Sequence, residues 1–505
     1  MSSVTTDAAR TALRAEANAI WDARTISALL TWDQHTALPP GGASARAVQL
    51  AWAERATYDR YRSDTLARLI ERLEDADRAE DPDDASLLRL MRHEHLKAMR
   101  VPLELREELA AASGTAQHAW VQAREAGDYA AFLPHLRRNV ELRRRYADCF
   151  QDLEDPYDAQ LDDFDPGLRT SEMSALAESL KRRLIPLIRL ASDREPSPPL
   201  EGPFPVERQR SVVTALLSRA GLDLDRARIL ESAHPMTVSM GIDDVGLTTR
   251  YSPENLDGIF LALHEIGHAH YEQGFDRSIE RTPLAQGASA GVHEAQARLY
   301  ENLVGRHPAF CGFMLELLRE AFGEEFRRMA PEDFEAVVNG RRNSVVRLEA
   351  DELTYPLHIV MRFELEREFL AGRLRLEDLP AAWAARVHEY LGLTVADDRE
   401  GVLQDPHWAF GAFGYFPTYA VGNVIAVQLW NQIAAVTPAI EQELAAGVLD
   451  SVNHWLGEHI WRHGRRRPFK ELLRAAVGAG LDTVPFAAHV EAKFSQASMT
   501  TAGGS

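Results

Sequence analysis

Apolar residues recur at i, i+3 or i+4, with charged residues between them, over 7–31, 43–75, 83–99, 134–154, 171–194, 206–220, 344–371 and 449–461. This is the period of a helix that buries one face, so the pattern predicts a mainly α-helical protein. Met236 to Tyr251 breaks it. There Thr237-Val238-Ser239-Met240 and Gly246-Leu247-Thr248-Thr249-Arg250-Tyr251 are short and β-prone, and Gly241-Ile242-Asp243-Asp244 between them reads as a turn. The segment predicts a β-hairpin. Prolines crowd 195–199 and 202–205, predicting a connection between an N-terminal helical half, about 1–195, and a second half, about 205–494, within one domain spanning 1–494. Residues 495–505 carry no periodic apolar positions and read as a flexible tail, and no repeat of fixed period is evident.

The hairpin leads towards a further helix. Ser252-Pro253-Glu254 offers a capping hydroxyl, a proline for the first turn and an early acid, and Gly274 offers a stop, so a helix is expected over 253–273. Leu256, Ile259, Phe260 and Leu263 repeat at helical spacing along it, which predicts one buried side with His264 and His268 emerging beside the apolar stripe. These histidines belong to an H-E-x-x-H run, His264-Glu265-Ile266-Gly267-His268. Four residues apart, they project from the same face and can grip one ion, while Glu265, one step round, reaches a metal-bound water as a general base. A second helix is expected from about Ala288 to Leu303, closed by Gly305, with Glu294 and Arg298 one turn apart. Glu294 reads either as a surface acid paired with Arg298 or as the third ligand of a His-His-Glu catalytic zinc set, and the upstream motif favours the ligand. His293 reads as a packing or ligand-orienting histidine. A strand beside such a metal would either pair with an extended peptide backbone or serve structure alone; the sequence supports both equally.

Composition narrows the class. A chain of 505 residues, 45% hydrophobic, can bury an extensive core. Its 76 acidic against 56 basic residues give a net charge of −20, which argues against a nucleic-acid-binding surface. Arg462, Arg465, Arg466 and Arg467 form the dense basic cluster and read as a solvated loop. Cys149 and Cys311 are too few for a disulfide framework, and no apolar run of about eighteen residues could span a membrane. With Asp7, Arg10, Arg14 and Glu16 preceding any apolar stretch, no secretory signal is evident, and a cytoplasmic protein is expected.

Further segments extend the comparison along the chain: Leu30-Thr31-Trp32-Asp33-Gln34 with Pro39 and Arg46-Ala47, His234-Pro235-Met236, Asp351-Glu352-Leu353-Thr354-Tyr355, Gln404-Asp405-Pro406-His407-Trp408 and Gly414-Tyr415-Phe416-Pro417-Thr418-Tyr419. With the histidine and glutamate motifs, in this order, they resemble the carboxypeptidase Taq (M32) metallopeptidase family over nearly the whole chain. The resemblance implies a large helical, saddle-shaped fold with a deep groove, a homodimer, and removal of single residues from peptide C-termini. It also implies one divalent metal per chain, zinc or cobalt, held by His264, His268 and Glu294, with Glu265 as the catalytic acid/base. Three positions depart from the family pattern. Asp244-Val245-Gly246-Leu247-Thr248 has glycine where an arginine is expected, Met236 stands for a phenylalanine, and Ala295 for a serine or glycine, a change of small for small.

The remaining roles are assigned to candidates. Tyr415, Tyr419 and His407 are candidate donors to the oxygen that becomes negative during hydrolysis. Arg347 and Arg250 are candidates for the substrate's terminal carboxylate, Arg347 being readable instead as an ordinary i,i+4 partner of Asp351. Asp405 reads as a group orienting a metal-bound imidazole or as the start of a turn before Pro406. The leading expectation is a metallocarboxypeptidase acting on peptides. Alternatives are a zinc amidohydrolase or oligopeptidase with a specialised small substrate, motivated by Gly246, and a non-catalytic binding protein, which would have no need of Glu265.

Overall fold

A computed structural model describes residues 3–75, 81–191, 200 and 202–500; of the proline-rich stretch, 195–199 lie outside the described residues, as do 501–505 of the expected tail. The chain is mainly helical with one three-stranded sheet. It forms two compact units, each drawn from three separate segments: Met1–Arg100, Leu200–Glu335 and Leu429–Gly480 in the first, and Val101–Pro199, Ala336–Gln428 and Leu481–Ser505 in the second. The proline-rich stretch therefore coincides with a point where the chain passes from one unit to the other.

The expected helices form with shifted ends. The pattern at 7–31 extends to Ser3–Thr36, and 83–99 and 206–220 become Pro82–Arg100 and Val206–Arg219. The run at 43–75 splits into Ala43–Tyr61 and Asp64–Glu74, because Ser63 turns extended and its side chain accepts from Leu66 N, capping a new helix. In the second unit, 344–371 is helical only from Tyr355 to Leu370; the residues before it hold one 3₁₀ turn, Arg347–Glu349. The last helix runs from Thr483 to Thr500, into the span read as a tail.

In the first unit β2 (Met236–Ser239) pairs antiparallel with β3 (Val245–Thr249), forming the expected hairpin. A third strand, β1 (Ala227–Glu231), escapes the sequence pattern and runs parallel to β3, which becomes the fully buried centre of the order β1-β3-β2. β1 is an edge strand with four exposed residues, so it shows no apolar alternation.

Successive residues of β3 face opposite sides of the sheet. Thr249 donates its hydroxyl to Gly258 O on the histidine helix, Asp257–Gln273, whereas Gly246 faces the other way, onto the indole of Trp32. A Cβ at Gly246 would lie 2.6 Å from that ring. The glycine thus marks a close approach of the first helix to the sheet, on the side away from the histidine helix. Asp33 and Leu30 O, flanking Trp32, are both held by Arg46, at 2.6 and 2.7 Å.

Candidate metal centre

The histidine helix begins at Asp257, four residues after its expected start. Ser252 and Asn255 use their side chains in local turns, accepting from Glu254 N and Asp257 N, so neither caps the helix as Ser252-Pro253-Glu254 suggested. Leu256, Ile259, Phe260 and Leu263 are buried as expected, but so is most of the opposite side. From Gly258 to Gln273 only Leu261, His264 and His268 escape full burial, and these lie along one narrow stripe. The helix is therefore a core element opened along the line that carries its two histidines. His270, the third imidazole nearby, points elsewhere: it bonds Ala220 O and stacks on Trp461, and burial pushes its pKa down to about 4.

The glutamate helix, Ala290–Arg298, is capped by Ser289, whose side chain accepts from Val292 N, and continues as a π-helical stretch from Leu299 to Val304 instead of one regular helix. It crosses the histidine helix closely at Gly267. A Cβ there would stand 2.5 Å from Gln296 O and 2.8 Å from Ala297 Cα, so only glycine permits this approach. The crossing delivers Glu294, whose Oε2 lies 3.9 Å from His264 Nε2 and 3.8 Å from His268 Nε2. The three side chains offer ligand atoms all within 4.8 Å of one another, as one cation between them requires. Two imidazole nitrogens and a carboxylate oxygen are a donor set suited to a divalent transition metal.

The surroundings fix these donors. His264 Nδ1 lies 2.9 Å from Glu301 Oε2, and a carboxylate there accepts the Nδ1 proton and leaves the Nε2 lone pair free for a cation. Burial works to raise Glu301, but Arg298 and His264 outweigh it and hold the carboxyl down at about 2. Arg298 also donates to Glu294 Oε1 at 2.8 Å. The pairing with Arg298 forms, but Glu294 is buried and not the surface acid of that reading, and its other oxygen faces the histidines. His293 bonds Glu272 through Nε2 at 2.7 Å and stacks on His268, with ring centres 4.5 Å apart, in the packing role expected of it. Ala295 is fully buried, and its methyl fits.

Glu265 is 4% exposed, and β2 reaches it: Thr237 Oγ1 donates to Glu265 Oε2 at 2.6 Å. Burial pushes the Glu265 carboxyl above its ordinary range, against the pull of His264 and Thr237. Thr237 and Glu301 are the partners that sequence reasoning missed. Glu301 had a signal, since it follows Glu294 and Arg298 at offsets of seven and three, on the same helical face. Thr237 had none beyond its strand.

The carboxypeptidase Taq (M32) metallopeptidase family matches residues 12–494. The chain belongs to that family. Among M32-like relatives, thermostable carboxypeptidase 1 of Thermus thermophilus is 38% identical over 484 residues, covering 93% of this chain and 95% of the relative. Carboxypeptidase 1 of Bacillus subtilis is 34% identical over 459 residues, covering 90% and 92%. The solved M32 carboxypeptidase of Deinococcus radiodurans superposes with a TM-score of 0.92 at 35% identity, covering 97% of this chain and 99% of that one. Membership makes the protein a metal-dependent carboxypeptidase, a peptide hydrolase, and does not favour the amidohydrolase alternative. Gly246 agrees with this, because it faces Trp32 and not the helix that carries His264 and His268.

Four other candidates gather in the second unit. Arg347 donates through Nε and Nη2 to Asp405 Oδ1, at 3.0 and 2.7 Å, and through Nη1 to the Tyr355 hydroxyl at 2.9 Å. It lies over the Tyr419 ring, whose hydroxyl is 3.2 Å from His407 Nε2, and Tyr415 packs edge-on against Tyr419. Burial, reinforced by Arg347 and Arg362, pushes His407 down to about 3, leaving a neutral imidazole. Two expectations are corrected here. Asp351 does not pair with Arg347, because the segment is not helical; it accepts from Arg342 N and Thr354. Asp405 neither orients a metal ligand nor makes an Asx turn: Arg347 takes one oxygen and the buried Arg362 the other, while the orienting role at His264 belongs to Glu301. Arg250, in the first unit, is exposed and reaches Ala233 O at 3.5 Å. The basic cluster is largely neutralised, with Arg462, Arg465 and Arg466 meeting Glu458, Glu94 and Asp83. Among the described residues no helix is long and apolar enough to cross a membrane.

Proposed function

We propose that the enzyme cleaves the C-terminal peptide bond of peptides with one zinc ion per chain, held by His264, His268 and Glu294, and with Glu265 moving the proton. The observation that carries this is the convergence of those three donors beside a buried carboxylate. When bound, the cation would act as a Lewis acid, lowering the pKa of water and polarising the scissile carbonyl. Thr237 holds Glu265 by Oε2, so the carboxylate keeps a fixed orientation while Oε1 receives the proton of the attacking water. Glu265 then delivers that proton to the leaving amine. Cobalt could replace zinc, because the same nitrogen and oxygen donors suit both.

Recognition of the substrate's free carboxylate is assigned to Arg347. Arg347 and Arg362 share the single carboxylate of Asp405, so the buried cluster carries excess positive charge, which suits an anionic group. Tyr415, Tyr419 and neutral His407 are proposed as hydrogen-bond donors to the reacting oxygen; Arg250 is the weaker candidate for the carboxylate, being exposed. Neither Cys149 nor Cys311 is in a disulfide, which suits a cytoplasmic enzyme. A homodimer is the proposed assembly, to be checked by sedimentation.

The test is metal analysis together with mass spectrometry of a mixed peptide library. Wild type should carry stoichiometric zinc and release one residue at a time from free C-termini. Glu265→Gln should keep the metal and lose on the order of 100-fold or more in kcat. Arg347→Lys should narrow the preference for free over amidated C-termini. Internal cuts, or full turnover by Glu265→Gln, would sink the proposal.

A further inference from the structure

A carboxylate has two equivalent oxygens, and nothing within Glu294 chooses which one faces the histidines. The choice is made by its neighbour one turn on. Arg298 Nε donates to Oε1 at 2.8 Å, and Oε2 is then the oxygen turned towards His264 and His268. The same guanidinium reaches the next turn. Its Nη1 donates to Glu301 Oε2 at 3.2 Å, the atom that also accepts from His264 Nδ1 at 2.9 Å. Glu294 lies in the α-helical part, Ala290–Arg298, and Glu301 in the π-helical stretch that follows, and the two hydrogen bonds show that Arg298 meets both across that junction. The side chains of Arg298 and Glu301 are each 14% exposed and that of Glu294 is 8% exposed, so water screens little of this network.

We propose that Arg298 is a positioning residue that sets the geometry of two metal ligands at once. It holds the oxygen of Glu294 that is turned away from the histidines, and it holds the carboxylate that fixes the tautomer and ring angle of His264. A planar fork with separate Nε and Nη1 donors can serve both carboxylates in fixed directions; the point charge of a lysine cannot. His268 lies outside this circuit and depends instead on packing against His293, which Glu272 anchors. The three donors are therefore set by two kinds of support, one ionic and one stacked, both carried by the glutamate helix. This inference rests on the assignment of His264, His268 and Glu294 as ligands.

The experiment measures zinc affinity of the full-length chain by competition with a chromogenic chelator, and the visible absorption spectrum of the cobalt(II)-loaded protein. Arg298→Lys should bind zinc on the order of 10–100-fold more weakly and shift the cobalt spectrum, while its far-ultraviolet circular dichroism matches wild type. Glu301→Gln keeps an acceptor for His264 but offers Arg298 no charge, and should weaken binding in the same direction. Because both act in one network, the double variant should lose less than the two separate losses combined. If Arg298→Lys fails to fold, Glu301→Gln decides by the same two readouts. Folded variants with wild-type zinc affinity and an unchanged cobalt spectrum would overturn the role of Arg298. A wild-type chain that takes up no zinc would instead overturn the ligand assignment beneath it.

Discussion

Glu366, in the second unit, shows how a single side chain can carry a pH dependence. It is fully buried, and it accepts from Tyr157 OH at 2.6 Å, Trp408 Nε1 at 2.7 Å and Gly414 N at 2.9 Å. Burial pushes its pKa up to about 7, against the pull of those donors and of Arg143. In the unfolded chain the group titrates near 4.5, so a raised folded value means that protonation favours the fold. The contribution is complete below about pH 4.5 and is lost as pH rises through 7. Glu366→Gln cannot ionise. Between about pH 5 and about pH 8, the stability of wild type relative to this variant should therefore fall, by on the order of 3 kcal/mol in total. Paired thermal melts across that range measure it, and a constant difference would contradict the assignment. Residues of this kind were hidden in the sequence, because Glu366 looks like any other charge of an amphipathic helix. His264, Glu265 and His268 were readable because their chemistry is contained in a run of five positions. Thr237 was not, since its role comes from a partner twenty-eight positions away.

At the scale of elements, helix periods could be read and their ends could not. Ser63 restarts a helix inside one continuous apolar pattern, and Ser252 and Asn255 spend their side chains on turns that delay the histidine helix. β1 was invisible because its pairing with β3 involves backbone groups across a long connection, while its side chains face solvent. Gly267 shows how an element contact sets function. Replacing it by alanine should gain about 1 kcal/mol of helix propensity if the neighbouring helix could move away freely. The methyl would instead meet Gln296 O at 2.5 Å, backbone of the helix that delivers Glu294, and relieving that clash should cost about 1–3 kcal/mol. Gly267→Ala is thus expected to be destabilised and to bind zinc more weakly, because any retreat of the glutamate helix lengthens the reach to both histidines. Chemical denaturation and zinc titration together check this; a variant more stable than wild type with undiminished zinc affinity would show that the close approach is unnecessary.

At the scale of the whole molecule, the sequence indicated the class of protein but not how its segments combine. The first helix, Ser3–Thr36, belongs to the same compact unit as the histidine helix more than two hundred positions later, and β3 links them, with Gly246 against Trp32 on one face and Thr249 bonded to Gly258 on the other. Such pairings depend on shape complementarity between distant segments, which no local period encodes. Their consequence is that metal binding and folding of the first unit should be coupled. His264, His268 and Glu294 come from two helices that would not hold this geometry in an unfolded chain, so a divalent cation held by them, zinc in the proposal above, would bind the folded state preferentially and stabilise it by mass action. Free zinc at about one hundred times its dissociation constant should add about 2.7 kcal/mol, seen as a rise in Tm over the chelator-stripped protein. The rise should disappear in Glu294→Ala, which removes one of the three donors, and persist in Glu265→Gln, which leaves all three in place. Because the second unit holds none of the three donors, intrinsic fluorescence reports the increment less specifically than hydrogen exchange does. Exchange should slow on zinc addition along Asp257–Gln273 and Ala290–Arg298 before it slows along Tyr355–Leu370. Uniform protection across both units would instead show that they unfold as one, and that the ion stabilises the chain as a whole.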